Sequence, residues 1–158
     1  MDAKVKPIPE GYHTLTPLLT VSNATETIEF YKKAFGAEER FRMLGPDGQT
    51  VVHAELKIGN SIFMLGDEMP GMECKSPKSY QGTPVRFYVY VEDVDVAFQR
   101  AVDGGAQVKS PLEDMFWGDR TGSVIDPSGH VWTFATHVEE VSPEEMCIRS
   151  REFFEQVA

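Results

Sequence analysis

The sequence predicts an α+β protein built from two copies of one strand–helix–strand–strand–strand unit, with a helix after the second copy. The segment LTPLLTVSNATETIEFYKKAFGAEE begins with an apolar strand and continues into a helix, and VRFYVYVEDVDVAFQRAVDGGAQV repeats that order in the second half of the chain. Internal similarity of this kind is typical of repeated architectures. Within a single domain we therefore predict a first module at residues 12–67, a linker at 68–83, a second module at 84–138 and a C-terminal helix at 143–157.

The elements of the first module are predicted by their end signals. Asn23 followed by Glu26 is typical of a helix start, and Gly36 ends the helical run. The apolar positions between them recur at helical spacing: Ile28, Tyr31 and Phe35. Further along, AELKI and SIFML flank the turn residues 59–60, which predicts a β-hairpin.

The second module and the C-terminal helix carry equivalent signals. Asp93 begins a helix that Gly104 ends, and GSVID and HVWTFA flank the turn at residues 127–129. Ser142 and Pro143 begin the last helix in the manner of a cap and a first helical residue. The apolar positions of that helix, Met146, Phe153 and Val157, predict that it lies on the body of the protein or on a partner.

Charge and composition exclude several classes of protein. The chain has 15 Lys and Arg against 25 Asp and Glu, a net charge of −10, which argues against binding to nucleic acid or to anionic membranes. It lacks both a run of the ~20 apolar residues that would span a bilayer and the apolar core of a signal peptide. Cys74 and Cys147 show no metal-binding spacing. We therefore expect a cytoplasmic protein with reduced thiols that favours neutral or cationic partners.

Several phrases of the sequence resemble a known superfamily. The paired modules, from roughly Thr14 to His137, resemble the glyoxalase/bleomycin-resistance/extradiol-dioxygenase proteins, also called vicinal oxygen chelate proteins. The phrases EFYKKAFGAEE, DPSGHVW, DMFWGDRTGS and ATHVEEVSPEEM resemble in particular the phosphonate-cluster accessory, or demethylubiquinone-methyltransferase-like, branch. The resemblance implies two cupped four-stranded mixed sheets with helices on the convex side, a small-molecule pocket in each cup, and a homodimer. No part of the chain resembles a dinucleotide-type cofactor site, which puts the methyltransferase label in doubt.

Alternation along the strands predicts which side chains face the cups. We place one set on the helix side: Leu15, Pro17, Leu19 and Val21; Val52, Ala54, Leu56 and Ile58; Val85, Phe87, Val89 and Val91; Trp132 and Phe134. The opposite set, together with a loop tryptophan, gives the predicted ligand-binding residues: Thr16, His53, Arg86, Tyr88, Tyr90, Trp117 and Thr133. These faces could instead meet only water, but two tyrosines beside an arginine favour a pocket.

The loop from Asp114 to Arg120 carries adjacent Phe and Trp residues. An exposed loop seldom needs two such rings, so they are predicted to close one side of a pocket, with an ion pair between Asp119 and Arg120 fixing the loop. A purely structural corner is the alternative, and the sequence leaves both open.

The resemblance also allows a test for a metal. Metal-dependent members of the superfamily carry His and Glu ligands on the first, fourth, fifth and eighth strands. Here those positions fall on Thr16, Met64, Arg86 and Thr133, none of which is a good ligand for a divalent ion. We therefore predict no cofactor. The alternative is a divalent metal at a non-standard site, formed by His53 and Glu55 with His137.

The remaining polar groups leave two further questions. His13 is predicted to lie on the surface, and His130 to be a structural residue of its hairpin. His53 and Glu55 are two residues apart and share a face, so they are candidates for acid–base catalysis. Their alternative role is a salt bridge to Arg86 or Arg120.

Arg86 stays charged in the cup and needs a counter-charge, which is either an anionic ligand or Glu55. Among functions, a metal-independent small-molecule-binding protein is the leading hypothesis. An enzyme of lyase or isomerase type that uses His53 and Glu55, with or without a metal, is the second. A structural or interaction module is the third.

Overall fold

The computed structural model describes residues 5–157, which form two four-stranded sheets, one long helix after the first strand of each sheet, and a C-terminal helix. The elements of the first half are β1 (Leu18–Val21), α1 (Ala24–Phe35), β2 (Glu38–Leu44), β3 (Val51–Ile58) and β4 (Ser61–Asp67). A short helix, α2 (Pro77–Tyr80), interrupts the predicted linker. The second half contains β5 (Arg86–Tyr90), α3 (Val94–Asp103), β6 (Gln107–Asp114), β7 (Asp119–Ile125), β8 (Val131–His137) and α4 (Pro143–Val157).

The two sheets have the same topology, which confirms the predicted α+β fold with two βαβββ modules. Their strand orders are β1-β4-β3-β2 and β5-β8-β7-β6. In each sheet the first strand of the module runs parallel to the last, while the other pairs are antiparallel. The first strand of each module is therefore an edge strand, and the mixed sheets match those that the resemblance implies.

The predicted helix ends are confirmed. The Asn23 side chain accepts a hydrogen bond from the backbone N–H of Glu26 at 3.1 Å, and Gly36 adopts a left-handed conformation with φ 66°. Asp93 accepts from the N–H of Val96 at 3.1 Å at the start of α3. Such caps satisfy N–H groups that have no partner within the helix, so they fix where each helix begins.

One hydrophobic core serves both modules. Tyr31 of α1 contacts Phe63 of the first sheet, with ring centroids 5.7 Å apart, and Trp132 of the second sheet at 5.3 Å. Phe35 also contacts Phe134 at 5.2 Å. The helix-covered faces of the two sheets therefore pack into the same interior, and the opposite face of each sheet turns away from it.

A buried carboxylate ties the modules together inside this core. Asp126 accepts hydrogen bonds from the Tyr31 hydroxyl at 2.5 Å and from the indole N–H of Trp132 at 2.9 Å. Burial, followed by the nearby Asp126 charge, raises the pKa of Tyr31 well above its ordinary value. In the same hairpin a ring nitrogen of His130 lies 3.0 Å from the carbonyl oxygen of Thr20, in agreement with its predicted structural role. Two of the phrases that carry the resemblance, EFYKKAFGAEE and DPSGHVW, thus meet in a structural contact.

The predicted helix-side set is correct in the strand centres and wrong near their ends. Leu19, Val21, Ala54, Leu56, Trp132 and Phe134 are buried, and Phe87, Val89, Val91 and Ile58 pack partly against the core. In contrast, Leu15, Val52 and Val85 are exposed. The first and fifth strands begin only at Leu18 and Arg86, so alternation does not apply to Leu15 or Val85. Thr16 also lies before β1, and its hydroxyl donates to the carbonyl of His13, an exposed residue as predicted.

The C-terminal helix begins as predicted, with the Ser142 hydroxyl accepting from the N–H of Glu145 at 3.2 Å. It contacts the body through Phe153, whose ring lies 5.5 Å from that of Phe116. Arg149 adds a bidentate ion pair to Glu139 at 2.7 and 2.9 Å. No residue of α4 between positions 143 and 157 is buried. Among residues 5–157, no helix combines the length and the apolarity that crossing a bilayer requires.

Candidate functional site

Each sheet has an outer face, which we define as the side opposite the shared core. The first outer face carries Leu18, Met64, Glu55 and Phe41, which the strand register puts in one row, and His53, two residues before Glu55 on β3. The second outer face carries Arg86, Tyr88, Tyr90, Asp119, Ser123, Thr133 and His137 on β5, β7 and β8. The strand register brings Tyr88, Thr133 and Ser123 into one row across the second sheet. The predicted ligand-binding residues of β5 and β8 therefore share one surface.

A single buried carboxylate organises the second outer face. Asp119, only 3% exposed, accepts hydrogen bonds at one oxygen from the hydroxyls of Tyr88 and Tyr90, both at 2.9 Å, and from the indole N–H of Trp117 at 3.2 Å. Its other oxygen lies 2.8 Å from Nδ1 of His137. We call these five residues the Asp119 cluster. Three of them were predicted to bind ligand, and the structure joins them through a residue that was not.

The cluster perturbs the protonation of its members. Burial raises the pKa of Asp119, but the hydrogen bonds from His137 and the aromatic donors outweigh it, so the pKa is lowered overall. Burial and the Asp119 carboxylate raise the pKa of Tyr88 to about 12. The hydrogen bond to Asp119 likewise raises the pKa of His137. At neutral pH the cluster therefore consists of a carboxylate held by neutral hydroxyls and by an imidazole that readily takes a proton.

The tight turn between β6 and β7 brings Trp117 to this carboxylate. Gly118 has φ +97°, and a side-chain carbon added there would lie 2.1 Å from the carbonyl oxygen of Glu139. The backbone N–H groups of Val138 and Glu139 both donate to the Gly118 carbonyl, at 2.9 and 3.0 Å. Only glycine allows this approach, which packs the phrase DMFWGDRTGS against ATHVEEV and so places Trp117 and His137 on the same carboxylate.

The predicted ion pair between Asp119 and Arg120 is not present. Arg120 instead forms two hydrogen bonds to Asp95, both at 2.9 Å, and one to Asp114 at 3.0 Å. Consecutive residues of a strand point to opposite faces, so Asp119 and Arg120 cannot form an ion pair with each other. The loop before β7 is therefore fixed by the contacts of Asp119 on one face of the sheet and by those of Arg120 on the other.

Arg86 lies at the far end of the second outer face. It is exposed, and it makes no salt bridge within 4.0 Å to any of residues 5–157. The predicted partner Glu55 belongs to the first outer face, and the shared core separates the two faces within one chain. The register pairs Thr133 with Tyr88 and Arg86 with Val131, so the metal-ligand positions predicted on the fifth and eighth strands, Arg86 and Thr133, are not opposite each other.

The first outer face brings together the predicted catalytic pair. Nε2 of His53 lies 3.6 Å from Oε1 of Glu55, which is too long for a hydrogen bond but close enough for an ionic contact. The Phe41 ring lies 6.4 Å from the His53 ring. Burial, with a hydrogen bond from its hydroxyl to Glu55, raises the pKa of Tyr12 to about 12. The alternative salt bridge from this pair to Arg86 or Arg120 is not formed.

The donor atoms do not fit the metal centre of the superfamily. Leu18 pairs with Met64, and Tyr88 pairs with Thr133, in the rows where metal-dependent members would need His and Glu. Within residues 5–157 no group of three or more His, Cys, Asp and Glu side chains could hold an ion. The non-standard set is also divided, because His53 and Glu55 lie on the first outer face and His137 on the second.

An apolar groove of about 710 Å³ runs between the modules beside the edge strand β5. Its walls include Leu15, Pro17, Ile62, Phe63, Phe87, Val89 and Trp132. Tyr88 and Tyr90 also border it, so it adjoins the Asp119 cluster.

Sequence comparison agrees with the fold and the resemblance. Residues 12–134 match the profile of the Glyoxalase/Bleomycin resistance protein/Dioxygenase superfamily. An uncharacterised protein of Mycobacterium tuberculosis (strain H37Rv) is 46% identical over 135 residues, covering 84% of this chain and 79% of the relative.

Two solved structures extend the comparison. The crystal structure of TioX from Micromonospora sp. ML1 is 28% identical with a TM-score of 0.62, over 80% of this chain and 99% of that one. A PhnB protein from Bacillus cereus, described as a demethylubiquinone methyltransferase, shares the fold at a TM-score of 0.60 and 20% identity, over 78% and 99% of the two chains. The chain belongs to the Glyoxalase/Bleomycin resistance protein/Dioxygenase superfamily.

Proposed function

We propose that this protein is a homodimeric small-molecule-binding protein that does not use the metal site of its superfamily. The observation that carries this proposal is the Asp119 cluster, where Tyr88 and Tyr90 remain 45% and 65% exposed around a buried carboxylate. Large aromatic rings held in fixed positions at a surface are typical of binding sites. Thr133, Arg86 and Trp117 lie on or beside the same face. The other two residues of the proposed ligand-binding set lie elsewhere in the chain, Thr16 before β1 and His53 on the first outer face.

Both outer faces expose apolar or aromatic side chains that a second chain could bury. The first outer face exposes Leu18, Phe41 and Met43, and the second exposes Tyr88 and Tyr90. Exposed apolar groups that lie together are typical of an interface. We propose that the first outer face of one protomer covers the second outer face of the other, which places the pocket between them. Arg86 then meets Glu55 of the partner subunit, a pair that the shared core prevents within one chain.

The dimer and its charge pair can be tested together. Light scattering should give a mass of about 35 kDa, twice the 17.7 kDa of the chain. Arg86→Glu should raise the dimer dissociation constant by about tenfold or more, because it places two carboxylates together, and adding Glu55→Arg should restore dimerisation. Lys33→Glu, the same change of charge on α1, is the control. A monomer at micromolar concentration, or equal effects of Arg86→Glu and Lys33→Glu, contradicts the proposal.

Ligand capture tests the binding function itself. Purified protein should be incubated with a metabolite extract and analysed by native mass spectrometry, and the extra mass should be lost in Tyr88→Ala. Elemental analysis of untagged protein should find far less than one Zn, Ni, Mn or Fe per chain. A stoichiometric metal, or captured ligands that persist in Tyr88→Ala, would count against this function.

The second candidate function is an enzyme of lyase or isomerase type. The observation that favours it is the contact between His53 and Glu55, which supplies a base and an orienting carboxylate on one face. If a captured metabolite is converted to a product, His53→Gln should abolish the conversion while leaving capture intact. Unchanged conversion would remove this pair from the reaction.

We also infer a cytoplasmic location. Cys74 and Cys147 are both exposed and unpaired, and exposed free thiols favour a reducing compartment.

A further inference from the structure

The Asp119 cluster contains a negative charge without a permanent counter-charge. Among residues 5–157, the only salt-bridge partner of Asp119 is His137, whose charge depends on pH. The other three donors, from Tyr88, Tyr90 and Trp117, are neutral. The adjacent Arg120 contacts Asp95 and Asp114 instead. The cluster therefore presents negative potential to whatever lies against it.

The two tyrosines hold partly exposed rings beside this carboxylate. Both hydroxyls donate to the same carboxylate oxygen, which fixes the ring edges towards Asp119 and adds electron density to the phenols. The rings are 5.2 Å apart at their centroids and tilted by 55°, and large parts of them are exposed. Aromatic faces are negative and attract cations within about 6 Å of the ring centroid, so two tilted, partly exposed rings beside a carboxylate are suited to binding a cation.

We propose that the Asp119 cluster binds a positively charged nitrogen group of the ligand, such as an alkylated ammonium, on the faces of Tyr88 and Tyr90. Asp119 acts there as the positioning residue, because it orients the rings and supplies the negative charge. This inference rests on the proposed binding function and names the class of ligand. It also agrees with the net charge of −10, which attracts cations to the protein.

Other ligand chemistries fit the cluster less well. An anionic group would lie against a buried carboxylate, and a metal ion would need oxygen atoms that four donors already occupy. Arg86 carries the opposite charge, but it is two residues before Tyr88, about 7 Å along the strand. The cation therefore belongs at the Tyr90 end. A neutral apolar group is the remaining rival, and a charged probe with an uncharged isostere distinguishes the two.

The test uses choline and the uncharged alcohol in which carbon replaces the choline nitrogen. Calorimetric titration of the full-length dimer should show choline binding at least about fivefold more tightly than the alcohol, the ratio expected from one cation–π contact. Tyr90→Leu should lose this preference, and Tyr90→Phe, which keeps the ring, should retain part of it. Tyr80→Phe is the matched control, because Tyr80 is an exposed tyrosine whose hydroxyl donates to the carbonyl of Glu73 on another part of the chain.

Asp119→Asn tests the positioning role. It should weaken choline binding by about fivefold or more and leave binding of the uncharged alcohol unchanged, whereas loss of ring packing alone would weaken both. If this variant fails to fold, Tyr90→Leu still decides, because its side chain is exposed. Equal binding of choline and the alcohol overturns the inference but leaves the proposed binding function standing. The inference is also overturned if choline still binds to Tyr90→Leu, or if choline does not bind to the wild type. The proposed function fails only if metabolite capture does not depend on Tyr88.

Discussion

Removing the Asp126 carboxylate should destabilise both modules together. Asp126→Ala leaves the Tyr31 hydroxyl and the Trp132 indole N–H without an acceptor inside the core. A buried donor that loses its partner costs about 1–3 kcal/mol, so the two should cost about 4 kcal/mol in combination, allowing for the usual lack of additivity between neighbours. That is a large share of the ~5–15 kcal/mol that stabilises an ordinary domain.

Urea denaturation measures this loss, and using one protein concentration for all variants keeps any contribution of dimer dissociation the same among them. Fluorescence and far-ultraviolet circular dichroism should report one shared transition, because Asp126 joins α1 to β8. Asp47→Ala is the control: Asp47 also accepts several hydrogen bonds, from Gln49 and Thr50, but in an exposed turn where water replaces it. A loss below about 0.5 kcal/mol in Asp126→Ala, within the range of surface substitutions, would refute the reasoning.

Two further predictions concern the turn and the imidazole of the second outer face. Gly118→Ala should destabilise the protein by at least about 2 kcal/mol more than Gly105→Ala. Both glycines have φ near +100°, but only at Gly118 does the added carbon meet a backbone oxygen. Similar unfolding midpoints for the two variants would contradict this prediction. The pKa of His137 is raised in the folded state, so the stability from its contact with Asp119 is full below the unfolded value of about 6.5 and is lost as pH rises through the folded pKa. In an NMR titration Asp119→Asn should move the His137 midpoint down towards the unfolded value, and an unchanged midpoint would show that the carboxylate does not set it.

Much of the fold follows from local signals in the sequence. Asn23, Asp93 and Ser142 each cap a helix where the sequence predicts one, because a capping side chain acts on N–H groups two or three residues away. Alternation likewise assigns the centres of the strands. It fails at Leu15 and Val85, which lie outside the strands, since the sequence does not show at which residue pairing begins. It also fails at Val52, where the register between β2 and β3 is irregular.

The arrangement of the site depends on contacts that are distant in sequence, and these the sequence does not predict. The sequence predicts an ion pair between Asp119 and its neighbour Arg120, whereas the partners of Asp119 on β5 are 29 and 31 residues away. Alternation applied to β7 would have placed Asp119 and Arg120 on opposite faces, so one signal was available. The separation of Arg86 from Glu55 was not predictable, because it depends on which faces of the two sheets pack together.

Two carboxylates flanking the same strand show why the aromatic contacts alone do not indicate function. Asp119 begins β7 and Asp126 follows its end, both are buried, and each accepts hydrogen bonds from a tyrosine hydroxyl and a tryptophan N–H. The donors around Asp126 are themselves buried, so burial of their rings stabilises the fold. The tyrosines around Asp119 leave much of their rings in water, where they contribute little of that stabilisation. The rings that Asp119 holds in place would contribute this stabilisation only when another molecule buries them. In this protein the partner subunit and a cationic ligand are the molecules proposed to do so.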